Sequence, residues 1–104
     1  MTSKVDAATK LRRYLNKNGD IENVIVQFSH HGVSARAMPN SFHPIVAQRR
    51  SMAFAERGGE TISIADATEI NNASLRVPVA RGHGATFEDA VDALMGDTKK
   101  LVSA

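Results

Sequence analysis

Apolar residues recur at helical spacing near the start of the chain. Val5, Ala8, Leu11 and Leu15 form one stripe, and Lys10, Arg13 and Lys17 share the opposite face. The pattern predicts a helix over 3–18. Ser3 followed by Asp6 has the form of a capping box, and Asn18-Gly19 supplies a stop. The period then changes to two. Over 22–29, Val24, Val26 and Phe28 point one way while Ile25 and Gln27 point the other. Val33, Ala35 and Ala37 alternate with Ser34, Arg36 and Met38 in a second strand. Between the two, His30-His31-Gly32 predicts a turn in which Gly32 can take positive φ. Pro39-Asn40-Ser41 ends the hairpin.

The stretch 42–58 fits two patterns. A helix starting near Ser41 has Pro44 in its first turn and Gly58 past its end, as helix start and stop rules require. Its apolar positions Ile45, Val46, Met52 and Ala53 cover one broad side, with Phe54 outside it. The rival makes 52–56 a strand, turned by Gly58-Gly59 into 61–64. The helix is the preferred reading.

Further on, 61–65 reads as a strand, 66–69 as a short capped turn and Asn71-Asn72 as a loop. Leu75, Val77 and Val79 alternate with Arg76 and Pro78. Proline has no N–H for a ladder, which predicts an edge strand. Residues 81–85 then link to a last helix capped by Thr86. Phe87, Ala90, Val91, Leu94 and Met95 form its core face, and Glu88, Asp89 and Asp92 its outer face. Gly96 is its expected end, with Leu101 and Val102 as a second docking point. The order α-β-β-α-β-β-α predicts a single α+β domain over 1–104. Its expected form is a two-layer sandwich: a mostly antiparallel sheet of about four strands with helices on one face.

Composition narrows the function classes. The chain has 104 residues, 42% of them apolar and 23% charged, with no Trp, one Tyr and four Phe. Aliphatic residues must therefore carry burial, at about 25 cal/mol per Å². The absence of cysteine excludes disulfides, thiolate catalysis and Cys-ligated zinc. The first residues lack the apolar core of a secretory signal, and no apolar run approaches the ~20 residues of a membrane helix. A cytoplasmic protein is the expectation, with no membrane partner.

Charge is sorted along the chain. Residues 1–58 hold nine Lys/Arg against four Asp/Glu, whereas 59–104 hold four against seven. The basic excess concentrates on the first helix, where Lys10, Arg13 and Lys17 form a ridge flanked by Tyr14. Arg49 and Arg50 are positioned to extend it. Such a ridge binds acidic surfaces, and the tyrosine ring offers a stacking face.

The junction Arg81-Gly82-His83-Gly84-Ala85-Thr86 is a second candidate. A glycine-rich turn opening a helix aims backbone N–H groups at an anion, with Arg81, Gly82, Gly84 and Thr86 as the contacts. It has no Walker Lys-Ser/Thr and no third glycine, because Phe87 stands there. Strand, Gly-x-Gly, small residue and alanine-bearing helix together resemble the end of a double-stranded-RNA-binding domain. In that family the last helix begins with a lysine cluster that grips phosphates. The matching positions here are Thr86, Phe87, Glu88 and Asp89, so the resemblance implies the fold's ending without that chemistry. Gly84-Ala85-Thr86 with Glu88 and Ala90 is also similar to the end of antitoxin-like partial-RNase-H folds. Both resemblances are confined to this short stretch and assign no family.

The histidines show no HExxH, HxH or His-plus-Asp spacing. Adjacent His30 and His31 diverge on a strand, and His43 and His83 are distant in sequence. No serine sits in a nucleophile elbow. No catalytic residue, metal or cofactor is therefore assigned. The expected function is non-enzymatic. The basic ridge docks an acidic macromolecule, either nucleic acid or a nucleic-acid-handling protein, as an accessory or inhibitor protein of a phage-like element does. Two alternatives are a self-associating adaptor, whose basic and acidic faces pair between copies, and a metal-binding hydrolase using His30, His43 and His83.

Overall fold

The computed structural model describes the backbone of residues 6–57 and 62–103, with side chains through Lys99. Helix α1 spans Ala7–Lys17, strand β1 Ile21–Ser29, β2 Gly32–Pro39, helix α2 Pro44–Glu56, α3 Ile64–Arg76, β3 Ala80–Gly84 and α4 Phe87–Ser103. The described residues form an α+β fold of four helices and one three-stranded antiparallel sheet in the order β1-β2-β3.

Asp6, rather than a box begun at Ser3, caps α1, and its Oδ1 accepts from the Thr9 N–H at 2.8 Å. Ser3 itself lies outside the described residues. The buried face of α1 is carried by Ala7 and Tyr14, with Leu11 and Leu15 packed beside them. Ala8 is exposed, because the tyrosine ring buries far more apolar area than a methyl group and sets the helix's rotation. The hairpin forms as its alternation predicts. Ser29 pairs with Gly32 across His30-His31, and Gly32 has φ +123°.

Within 42–58, Pro44–Glu56 is helical. His43 caps α2, its Nδ1 accepting from the Ile45 N–H at 3.1 Å, and Pro44 opens the helix. The expected Gly58 stop and Gly58-Gly59 turn lie outside the described residues.

The chain between α2 and α4 departs from expectation. Ser63 caps a helix, α3, through Asp66 N–H to Ser63 Oγ at 3.1 Å. This helix takes in Ile64 and Ala65 of the expected strand at 61–65, the expected turn at 66–69, the Asn71-Asn72 loop, and Leu75 and Arg76 of the expected strand at 75–79, whose remaining residues are non-helical coil (Thr61 is outside the described residues). Tertiary packing overrides the poor helix propensity of these residues. Ile70 and Ser74 are buried against α2, and Asn71 Oδ1 accepts from Arg50 at 3.1 Å. The Thr68 and Ser74 hydroxyls donate back to the Ile64 and Ile70 carbonyls. The third strand is instead residues 80–84, which read as a linker. Its inward positions are Ala80 and Gly82, too small to mark a period in hydrophobicity.

Among the described residues the sheet thus has three strands where four were expected, and the order is α-β-β-α-α-β-α. Val33, Ala35 and Ala37 of β2 and Ala80 and Gly82 of β3 face α4, whose Ala90, Val91 and Leu94 are fully buried. Small residues on the strands let the helix sit close. Helix α1 joins this side against α4 and β1. The α2–α3 hairpin is fixed at its base, with Ile45 packed on the core and Val46 and Ile70 buried. Leu75 and Arg76 border Ile25 and Met38, which belong to the other face of the sheet, so helices do not cover one face alone. Helix α4 runs through Gly96 without breaking, because Thr98 Oγ1 donates to the Leu94 carbonyl and the second half packs on Tyr14. The side chains of Leu101 and Val102 lie outside the described residues.

Candidate functional site

Positions 10, 13 and 17 share one face of α1, and that face meets α4. Between the two helices runs an open groove of about 330 Å³. Its floor is Tyr14, Met95 and Thr98, and its rim is Lys10, Arg13, Lys17 and Lys99. Lys10 pairs with Asp92 of α4 at 3.0 Å. Arg13 and Lys17 are exposed and make no ion pair among the described residues. The fold has therefore added Lys99 to the ridge and tied one of its lysines to the acidic face of the last helix.

Tyr14 is 6% exposed and is part of the groove's floor, not a free stacking platform. Its hydroxyl lies 2.9 Å from Thr98 Oγ1. Thr98 spends its one proton on the Leu94 carbonyl at 3.0 Å, so Tyr14 is the donor to Thr98. Burial pushes the Tyr14 hydroxyl above its usual range. The nearby carboxylates of Asp20 and Asp97 push it further up.

Arg49 and Arg50 do not join the ridge. Arg49 donates to the carbonyls of Ser74 (3.1 Å), Val77 (2.7 Å) and Pro78 (3.0 Å), which close the C-terminal end of α3. Burial, reinforced by the charge of Arg81, holds its guanidinium below the usual range. Arg50 donates to Asn71 Oδ1 and the Ser41 carbonyl. Both arginines hold the helical hairpin to its base.

At the strand-to-helix junction the glycines are accounted for by packing. A Cβ on Gly82 would run into the Ala90 carbonyl and the Leu94 backbone, and one on Gly84 into Asp89. Thr86 Oγ1 accepts from the Asp89 N–H at 3.1 Å, so the helix end is already capped. Strand β3 ends at Gly84, and the helix that follows opens on Glu88 and Asp89. Arg81 points to the opposite face, where its register partner is Arg36. Sequence reasoning missed Arg36. The signal was present in the alternation of 33–38, but only a third strand at 80–84 makes it meaningful.

His43 is a cap whose Nε2 lies 3.9 Å from Asp20 Oδ2. His30 and His31 form the hairpin turn, and His83 is exposed on β3. No group of three His, Asp or Glu among the described residues is arranged to hold a metal. Among those residues, no helix is long and apolar enough to cross a membrane. No family model, curated protein or solved structure matches the chain.

Proposed function

We propose that this is a non-enzymatic binding protein whose α1–α4 groove docks an acidic protein segment with an apolar anchor. The observation that carries this reading is the joint chemistry of the groove. An apolar floor of Tyr14 and Met95 lies under a rim of Lys10, Arg13, Lys17 and Lys99. A helix or strand bearing one apolar side and flanking carboxylates satisfies both parts at once. Nucleic acid satisfies only the rim, since the Tyr14 ring is packed into the floor and its hydroxyl is bonded to Thr98.

The test uses a designed peptide of leucine and glutamate with helical amphipathic spacing, followed by fluorescence anisotropy at several salt concentrations. The wild-type protein binds it. Lys10→Glu/Arg13→Glu/Lys17→Glu weakens binding by about tenfold or more, since each exposed charge pair contributes up to about 1 kcal/mol. Circular dichroism of the variant remains that of the wild type. Met95→Ala weakens binding with no change in salt dependence, because it removes floor and leaves the rim. Equal affinity of wild type and triple variant rejects the groove. A single-stranded oligonucleotide that binds this face in preference to the peptide replaces the protein segment with nucleic acid.

A further inference from the structure

A second cationic feature lies on the face of the sheet turned away from α4. Arg36 of β2 and Arg81 of β3 are register partners. The Arg81 N–H points away from β2 and donates to Asp97 Oδ2 at 2.8 Å. The pair is therefore of the non-hydrogen-bonded kind, in which opposed Cα atoms stand about 4.5 Å apart and side chains are closest. Like charges placed so destabilise a sheet. Neither guanidinium has a hydrogen bond or ion pair with a described residue, and Arg36 Nε is buried with no partner. Ser34 and His83 are the adjacent register pair on the same face. All four border an open depression of about 380 Å³. Helix α3 borders the adjoining part of this face, where Leu75 and Arg76 approach Met38 and Ile25, the register partner of Arg36 on β1.

We propose that this depression binds a phosphate group, held by the guanidinium groups of Arg36 and Arg81 with Ser34 and His83 beside them. Phosphate offers only acceptors and matches the planar donor fork of arginine. Its charge offsets the repulsion that the fold otherwise carries unrelieved. The same group is presented by a small phosphorylated ligand and by a nucleic-acid backbone. The site is independent of the α1–α4 groove, which lies on the other side of the sheet.

The proposal is tested by calorimetric titration and thermal melting of the full chain with inorganic phosphate, against chloride at equal ionic strength. Phosphate raises the melting temperature of the wild type. Its affinity falls about tenfold or more in Arg36→Gln and in Arg81→Gln, the loss of a charged hydrogen-bonding partner. Arg81→Gln is the cleaner variant. Position 81 is exposed, and in chloride this variant melts no lower than wild type, because a like-charge neighbour has been removed. Lys10→Glu/Arg13→Glu/Lys17→Glu keeps its phosphate response, so this site and the groove fail separately. An equal phosphate response in wild type and Arg81→Gln overturns the proposal, as does no response in wild type. A nucleoside monophosphate and a short oligonucleotide, compared per phosphate, then identify the source. Equal affinities indicate a small ligand. A tighter, steeply salt-dependent strand indicates nucleic acid.

Discussion

Gly82→Ala is expected to destabilise the domain by about 3 kcal/mol, the upper end of overpacking costs. In a domain of this size that lowers the melting temperature by roughly 10–20 °C. The added methyl meets the Ala90 carbonyl and the Leu94 N–H of α4. These are backbone atoms, so no rotamer change relieves the conflict. The helix must lift from β2 and β3, opening the layer in which Ala35, Ala37, Ala90, Val91 and Leu94 are fully buried. Gly96→Ala is the control in the same helix. A Cβ there meets nothing within 4 Å, and the position is exposed within α4. It is expected to stabilise by about 0.5–1 kcal/mol through helix propensity and a restricted unfolded chain. Chemical denaturation of both variants checks the pair. Similar effects of the two changes would remove close helix–strand packing as the reason for glycine at 82.

The same close packing explains which parts of the fold were legible in the sequence. The hairpin and the flanking helices show in the alternation of 22–38 and in the stripes of α1 and α4, where the buried side chains are large enough to mark a period. Strand β3 does not show, because its inward positions are an alanine and a glycine. Helix α3 does not show either. Its Asn71-Asn72 pair reads as a loop until Arg50 supplies a partner for Asn71, and the Ser74 hydroxyl returns to the Ile70 carbonyl. Gly96 reads as a stop, yet nothing in the packing requires the helix to end there.

The candidate site was legible in part for a related reason. Helical spacing places Lys10, Arg13 and Lys17 together, but pairing between elements decides which charges remain outward. Lys10 meets Asp92, and Arg57 lies 3.8 Å from both Asp66 and Glu69. Part of the sequence's division into a basic front and an acidic rear is thus neutralised within the molecule. Among the described residues, the charges that stay unpaired include Arg13 and Lys17 beside the groove, and Arg81 on the open sheet beside the half-buried Arg36. The second pair exists only in the register of two strands, one of which has no hydrophobic signature.

Arg49 separates a structural cation from a binding one. Arg49→Met keeps the aliphatic stem and removes three hydrogen bonds to the carbonyls of Ser74, Val77 and Pro78. Those carbonyls belong to the end of α3 and the segment that carries the chain into β3, where no later helical N–H reaches them. A hydrogen bond from a charged donor contributes about 1.5–3 kcal/mol. One of the three is exposed to solvent, so the expected net loss is about 2 kcal/mol rather than their sum. Arg50→Met should cost less, because its bond to the Ser41 carbonyl is long at 3.3 Å and exposed. Equilibrium unfolding measures both. The prediction has a functional half: at matched folded fraction, Arg49→Met binds the acidic peptide as the wild type does, because its guanidinium is directed at backbone carbonyls and not at the groove. Unchanged stability with reduced peptide affinity would return Arg49 to the binding surface and detach the α3 end from the staple that this geometry assigns to it.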